Sequence, residues 1–148
     1  MGSKKYTTII SILFIILLMS ANKHNNEIFP GLVPAPAFIE FVDTNLEIEE
    51  RIRMDYNSED ENLKNMIRLA ESELSDIGYK ATDSNNEQDQ TRVSIRVDHN
   101  ISEAPESYRL NIDPQGIEII GSDHAGTFYG IQTLLQILET SKIKNVPT

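Results

Sequence analysis

Tyr108-Arg109-Leu110-Asn111-Ile112-Asp113-Pro114-Gln115-Gly116-Ile117-Glu118-Ile119-Ile120-Gly121 runs without a break into Ser122-Asp123-His124-Ala125-Gly126-Thr127-Phe128-Tyr129-Gly130-Ile131-Gln132-Thr133-Leu134-Leu135-Gln136-Ile137-Leu138. Tyr108, Leu110 and Ile112 alternate with polar residues, the period of two that marks a strand with one wet face. Asp113, Pro114 and Gly116 hold the first, second and fourth places of a type I turn, so the strand is expected to fold back as a hairpin onto Ile117–Ile120. Beyond Gly121 the period lengthens. Phe128, Ile131, Leu135 and Leu138 share one helical stripe with Leu134 beside it, and Ser122 or Asp123 is the expected N-cap. The segment is a hairpin running straight into an amphipathic helix.

Working back toward the N-terminus, Val93, Ile95 and Val97 alternate with Ser94 and Arg96 as a further half-buried strand. A helix is expected from Glu59 to Ile77, because Leu63, Met66, Ile67, Ala70, Leu74 and Ile77 recur at helical spacing. Ser58 with Glu61 forms a capping box at its start, and Gly78 stands where a left-handed residue ends it. Leu46, Ile48, Ile52 and Met54 lie on one parity against Glu47, Glu49, Arg51 and Arg53, which predicts a strand, although Glu and Arg also favour a helix there. Phe38–Val42 is a candidate first strand, entered through the extended Leu32-Val33-Pro34-Ala35-Pro36. Ala81–Gln90 carries no apolar residue beyond Ala81 and is expected as a solvated loop. The elements sum to an α+β domain, residues 32–142, with a mostly antiparallel sheet and two helices packed on one face.

A chain of 148 residues that is 39% hydrophobic holds one ordinary core. The net charge of −10, with scattered Lys and Arg, disfavours nucleic acid and anionic lipid as partners. Absence of cysteine excludes disulfides, thiolate nucleophiles and Cys-ligated zinc. Lys4 and Lys5 precede the apolar run Ile9–Met19, which is short for a bilayer span of ~20 residues and has the form of a secretory signal. Residues 1–21 are therefore expected as a signal peptide, 22–31 as an Asn-rich spacer, and the product as exported, periplasmic or extracellular. A membrane anchor through residues 9–19 is the alternative if the leader is not cleaved.

Leu-Val-Pro-Ala-Pro at 32–36 and Gly-Thr-Phe-Tyr-Gly-Ile-Gln-Thr-Leu-Leu-Gln-Ile-Leu at 126–138 resemble the small N-terminal domain that precedes the catalytic barrel in glycoside hydrolase family 20, the β-N-acetylhexosaminidases. The resemblance implies a zincin-like fold without a metal site, docked beside a (β/α)8 barrel that hydrolyses terminal N-acetylhexosamine. In that family the sugar's acetamido group attacks the anomeric carbon while an adjacent Asp-Glu pair orients it and supplies the proton. The positions that transfer, Gly126, Phe128, Tyr129, Gly130, Gln132, Thr133 and Leu134, are packing and capping residues. An accessory domain with no catalytic, cofactor or metal residue of its own is therefore expected, with residues 143–148 starting a linker to a barrel absent from this chain. The alternatives are a free-standing exported glycan- or protein-binding module, and the N-terminal module of a related glycosidase such as an α-glucuronidase.

Asp60-Glu61 is an adjacent Asp-Glu pair, but it opens a helix with no glycine or histidine nearby, and helix capping accounts for both residues. Glu49-Glu50 and Asp113 with Glu118 lie on wet faces or in a turn, whereas a glycosidase acid needs a partly dry pocket to raise its pKa. His24, His99 and His124 have no ligand-like spacing, so no metal is expected. Gly126-x-x-x-Gly130 suits close helix-to-sheet packing, and Asn100-Ile101-Ser102 matches a glycosylation acceptor that matters only in a glycosylating host.

Overall fold

A computed structural model describes residues 32–33, 36–38, 40, 46–82 and 89–144. Five strands are present among them: β1 Arg51–Asp55, β2 Lys80–Ala81, β3 Thr91–Val97, β4 Tyr108–Asp113 and β5 Gly116–Gly121. The two helices are α1 Glu61–Asp76 and α2 His124–Lys144. The strands form one sheet in the order β2-β1-β3-β5-β4.

Alternation set the faces as expected. Ile52, Val93, Ile95, Ile117 and Ile119 point to one side and are buried with Leu63, Ile67, Ala70 and Leu74 of α1 and Ile131, Leu134, Leu135 and Leu138 of α2. Both helices therefore cover the same face. The α+β class stands, but the mostly antiparallel sheet does not. β1 pairs in parallel with β2 and with β3, β3 pairs in parallel with β5, and only the β4–β5 hairpin is antiparallel. A parallel sheet usually has both faces covered and reads as unbroken apolar runs. Here most of the second face is polar, with Ile120 of β5 its buried exception, so β1 and β3 alternate in the manner of antiparallel strands and conceal their direction.

The hairpin is as expected, with Ile112 opposite Ile117 and Asp113 opposite Gly116. It inserts β5 between β3 and β4. Gly116 has φ 143, and a Cβ there would lie 2.8 Å from the Arg92 carbonyl oxygen, so glycine alone lets the turn settle on β3.

Boundaries moved for local reasons. Regular pairing begins at Arg51 rather than Leu46, although Leu46 and Ile48 still pack against the core. The Ala81–Gln90 loop contributes its first residue to β2, where Lys80 N–H donates to the Glu50 carbonyl and Thr82 N–H to that of Ile52. Two residues are too few to show a period. Of the strand expected at Phe38–Val42, residues 39, 41 and 42 lie outside the described residues, and Phe38 and Glu40 are in no strand.

α1 is capped by Asp60, not by the box of Ser58 with Glu61: Asp60 Oδ1 accepts from the N–H groups of Asn62 at 3.0 Å and Leu63 at 3.2 Å. Its C-terminus closes as sequence suggested. Gly78 is left-handed at φ 83, its N–H donates to Ser75 and the Tyr79 N–H to Leu74, a complete Schellman motif. α2 starts from Asp123, whose Oδ1 accepts from the Gly126 N–H at 2.7 Å.

Candidate functional site

Open parallel sheets gather ligand sites beyond the carboxyl ends of their strands. At that end β1, β3 and β5 lead to Asp60, to Asp98 with His99, and to Asp123 with His124. Each group is committed to holding the chain. Asp60 caps α1 with one oxygen and meets His124 Nε2 with the other at 2.8 Å. Asp98 Oδ1 accepts from the Asn100 N–H and amide, and His99 Nδ1 lies 2.6 Å from the Ser122 carbonyl oxygen. Asp123 accepts from Gly126 and, through Oδ2, from the Glu106 N–H at 2.9 Å.

The electrostatics follow from these bonds. The His124 hydrogen bond, then the Leu63 N–H, hold the Asp60 carboxyl below the usual carboxylate value. The Asn100 N–H does the same to Asp98, and the Gly126 N–H to Asp123. Donors stabilise the charged form, the reverse of what a glycosidic proton donor requires. Glu61 pairs with Lys64 at 3.0 Å on the surface of the first turn. The Asp60-Glu61 pair is thus split between a cap and a surface bridge.

The sheet's open face carries Arg53, Asp55, Arg92, Arg96 and Glu118. Asp55 accepts from Arg53 at 2.8 Å and from Arg92 at 2.5 Å, and Arg96 meets Glu118 at 3.3 Å. A shallow depression of about 280 Å³ here is lined by Arg92, Ser94, Asn111, Asp113, Gln115 and Glu118, among others. It brings Asp113 and Glu118 to one rim. Asp113 already accepts from the Gln115 N–H and the Asn111 amide, and among the described residues no aromatic ring lines the depression for a sugar to stack on. Among the described residues no three His, Asp or Glu side chains are grouped to hold a metal.

α2 is where the family-like residues gather. A Cβ on Gly126 would run into the Ser107 carbonyl oxygen, and one on Gly130 would fall 2.6 Å from Ile119 Cγ2. Both glycines let the helix lie directly on the sheet and on the chain entering β4. Thr133, 2% exposed, bonds the Tyr108 hydroxyl at 2.8 Å, and Gln132 reaches Glu73 of α1 at 3.4 Å. Phe128 and Tyr129 stay half-buried, their rings 6.0 Å apart, so Phe128 sits off the buried stripe expected of it. Gln136 Oε1 accepts from the Val33 N–H at 2.9 Å and its Nε2 donates to the Val33 carbonyl at 2.8 Å. The amide thereby joins the two family-like segments, 103 residues apart.

The outward side of α2 is unusual for a surface helix. From Ala125 to Leu138 no side chain is charged, and no residue from Gly121 to Leu138 is exposed. Sequence reading placed these residues on a helix but not in their contacts. The absence of charge was the signal available for the outer face.

These features define a packing module: one sheet, two helices on one face, and polar groups consumed by caps. The family model of glycosyl hydrolase family 20, domain 2, matches residues 29–148, and the chain belongs to this family. A β-hexosaminidase of Porphyromonas gingivalis is 29% identical over 111 residues, which cover 73% of this chain and 14% of that protein. The chain therefore spans only a small part of that relative's length. Two solved structures share the fold. CpGH84D matches with a TM-score of 0.58 and 19% identity over 74% of this chain and 21% of that one. A GH138 enzyme targeting pectin rhamnogalacturonan II matches with a TM-score of 0.52 and 14% identity over 66% of this chain and 14% of that one.

Proposed function

We propose that this chain is the non-catalytic accessory domain of a β-N-acetylhexosaminidase and that it leans on a family-20 catalytic barrel through the outward side of α2. The observation that carries this reading is the uncharged run from Ala125 to Leu138 in a chain of which 24% is charged. A helix that expects water outside gains solubility from charges there, whereas one that meets a partner avoids desolvating them. Family membership and the P. gingivalis relative support a hexosaminidase barrel as that partner. Bond cleavage belongs to the barrel on this reading. The fold is read as zincin-like without the metal, in keeping with two helices on one sheet face.

Export through residues 1–21 accompanies this reading, supported by Lys4 and Lys5 ahead of the apolar run Ile9–Met19. The purified chain, incubated with an aryl N-acetylglucosaminide, is expected to release no more phenol than buffer does. Turnover that disappears in Glu61→Gln would overturn the assignment. Mixing the chain with a separately produced family-20 barrel is expected to give a complex by size-exclusion chromatography.

A further inference from the structure

We infer that the open edge of β4 pairs with the β4 edge of a second copy of this chain, antiparallel about a two-fold axis that passes through the sheet at Asn111. Among the described residues β2 and β4 are the two ends of the sheet. β2 is two residues long, and shortness is one way a sheet edge is kept from pairing. β4 is six residues long, holds its register with β5 without a bulge, and contains no Lys, Pro or Gly. Of the usual protections it carries only charge, in Arg109 and Asp113, and those two charges are opposite.

The free backbone groups follow from the hairpin. Asp113 opposite Gly116 closes the two-residue turn, so this pair exchanges both backbone hydrogen bonds, as do Asn111 with Glu118 and Arg109 with Ile120. The N–H and C=O groups of Leu110 and Ile112 therefore point away from β5, and among the described residues nothing pairs with them.

Side chains select the register of the second copy. With Asn111 facing Asn111 across the axis, Leu110 of each chain exchanges both backbone bonds with Ile112 of the other. On the polar face Arg109 then stands opposite Asp113 of the second copy, and the symmetry repeats the pair. Arg109 is exposed and has no carboxylate partner among the described residues, while Asp113, with one bond to each oxygen, keeps lone pairs free. Moving the axis by one residue sets Arg109 against Asn111 or Gln115 and loses both ion pairs. On the core face Leu110 and Ile112, only partly buried within one chain, cover each other's flanks. The inference does not depend on a catalytic barrel.

The chain has no cysteine, so one introduced thiol reports the register. Facing residues of a non-hydrogen-bonded pair have Cα atoms about 4.5 Å apart, within disulfide reach. Arg109 would lie about 14 Å from Arg109 of the second copy, four residues of strand away. Under mild oxidation Asn111→Cys is expected to form a disulfide-linked dimer at least about ten-fold faster than Arg109→Cys. A mixture of Arg109→Cys and Asp113→Cys is expected to link the two variants to each other. In the unmodified chain, sedimentation velocity is expected to show a dimer fraction that grows with concentration, because so short an edge buries less than the roughly 1,000 Å² of a tight interface. Arg109→Asp is expected to suppress that dimer and Arg109→Lys to preserve it. Equal oxidation rates for Asn111→Cys and Arg109→Cys, or a monomer at every concentration, overturn the inference. So does a chain that stays monomeric while an added family-20 barrel protects the Leu110 and Ile112 amides from exchange, which assigns the edge to the barrel.

Discussion

α1 and α2 bury nearly the same kind of surface and present opposite kinds to the outside. Inward, both offer aliphatic residues to one core: Leu63, Ile67, Ala70 and Leu74 from α1, and Ile131, Leu134, Leu135 and Leu138 from α2. Outward, α1 shows Glu61, Asn62, Asn65, Arg68, Ser72 and Asp76 to water, with Leu69 as its one exposed large apolar residue at 48%. α2 has Phe128, Tyr129 and Ile137, none charged and none fully exposed, while its Gln132 and Gln136 are held by Glu73 and Val33. The core therefore does not distinguish the two helices, whereas on the proposed function one faces water and the other a partner. The outer face does, and there the relevant quantity is the desolvation cost of charge.

The largest effect expected from breaking this comparison is at the seat of α2. Gly126→Leu drives a side chain into the Ser107 carbonyl, and urea unfolding should record a loss of more than about 3 kcal/mol or no folded protein at all. Asn65→Ala on the exposed side of α1 should stay within about 0.5 kcal/mol of the parent in the same assay.

Ile137→Glu addresses the outer faces themselves. It should leave the chain folded by circular dichroism but weaken its complex with a family-20 barrel by about ten-fold, or about 1.4 kcal/mol, in calorimetry. Lys64→Glu on α1 should leave that affinity unchanged. Equal losses from both variants would erase the distinction between the helices.

The helix ends supply the smaller tests. Gly78→Ala forces a left-handed residue to carry a Cβ and should cost about 1 kcal/mol by denaturant midpoint. Asp60→Ala should lower the thermal midpoint by a modest amount at neutral pH, through loss of a cap. Its pH dependence has a definite sign. The folded carboxyl lies below its ordinary value, so Asp60 stabilises above the unfolded pKa of about 3.9 and loses that effect as pH falls. The gap between parent and variant should therefore close toward pH 3.

What sequence disclosed about the site follows the same division. The capping role of the Asp60-Glu61 segment was legible from its place before an amphipathic run, though the cap proved to be Asp60 and not Ser58. Capping statistics accept either residue, and two competing caps within three positions are resolved by backbone geometry alone. The packing role of Gly126 and Gly130 was legible from their spacing, but their partners Ser107 and Ile119 were not. The clamp of Gln136 on Val33 left no local trace, because a glutamine on a helix surface reads the same with or without a distant backbone to hold.

Residue order alone dictates which face of most strands turns inward, where α1 ends, and that β4 and β5 make a hairpin. These properties rest on periodicity and turn chemistry, which act over a few neighbouring residues. Three-dimensional assembly is what sets β1, β2, β3 and β5 parallel, inserts β5 between β3 and β4, and brings a histidine at one helix start against an aspartate at the other. Those outcomes depend on how separate segments are brought together in space. A half-buried strand alternates identically whichever way its neighbour points, so direction and order have no local signature to read.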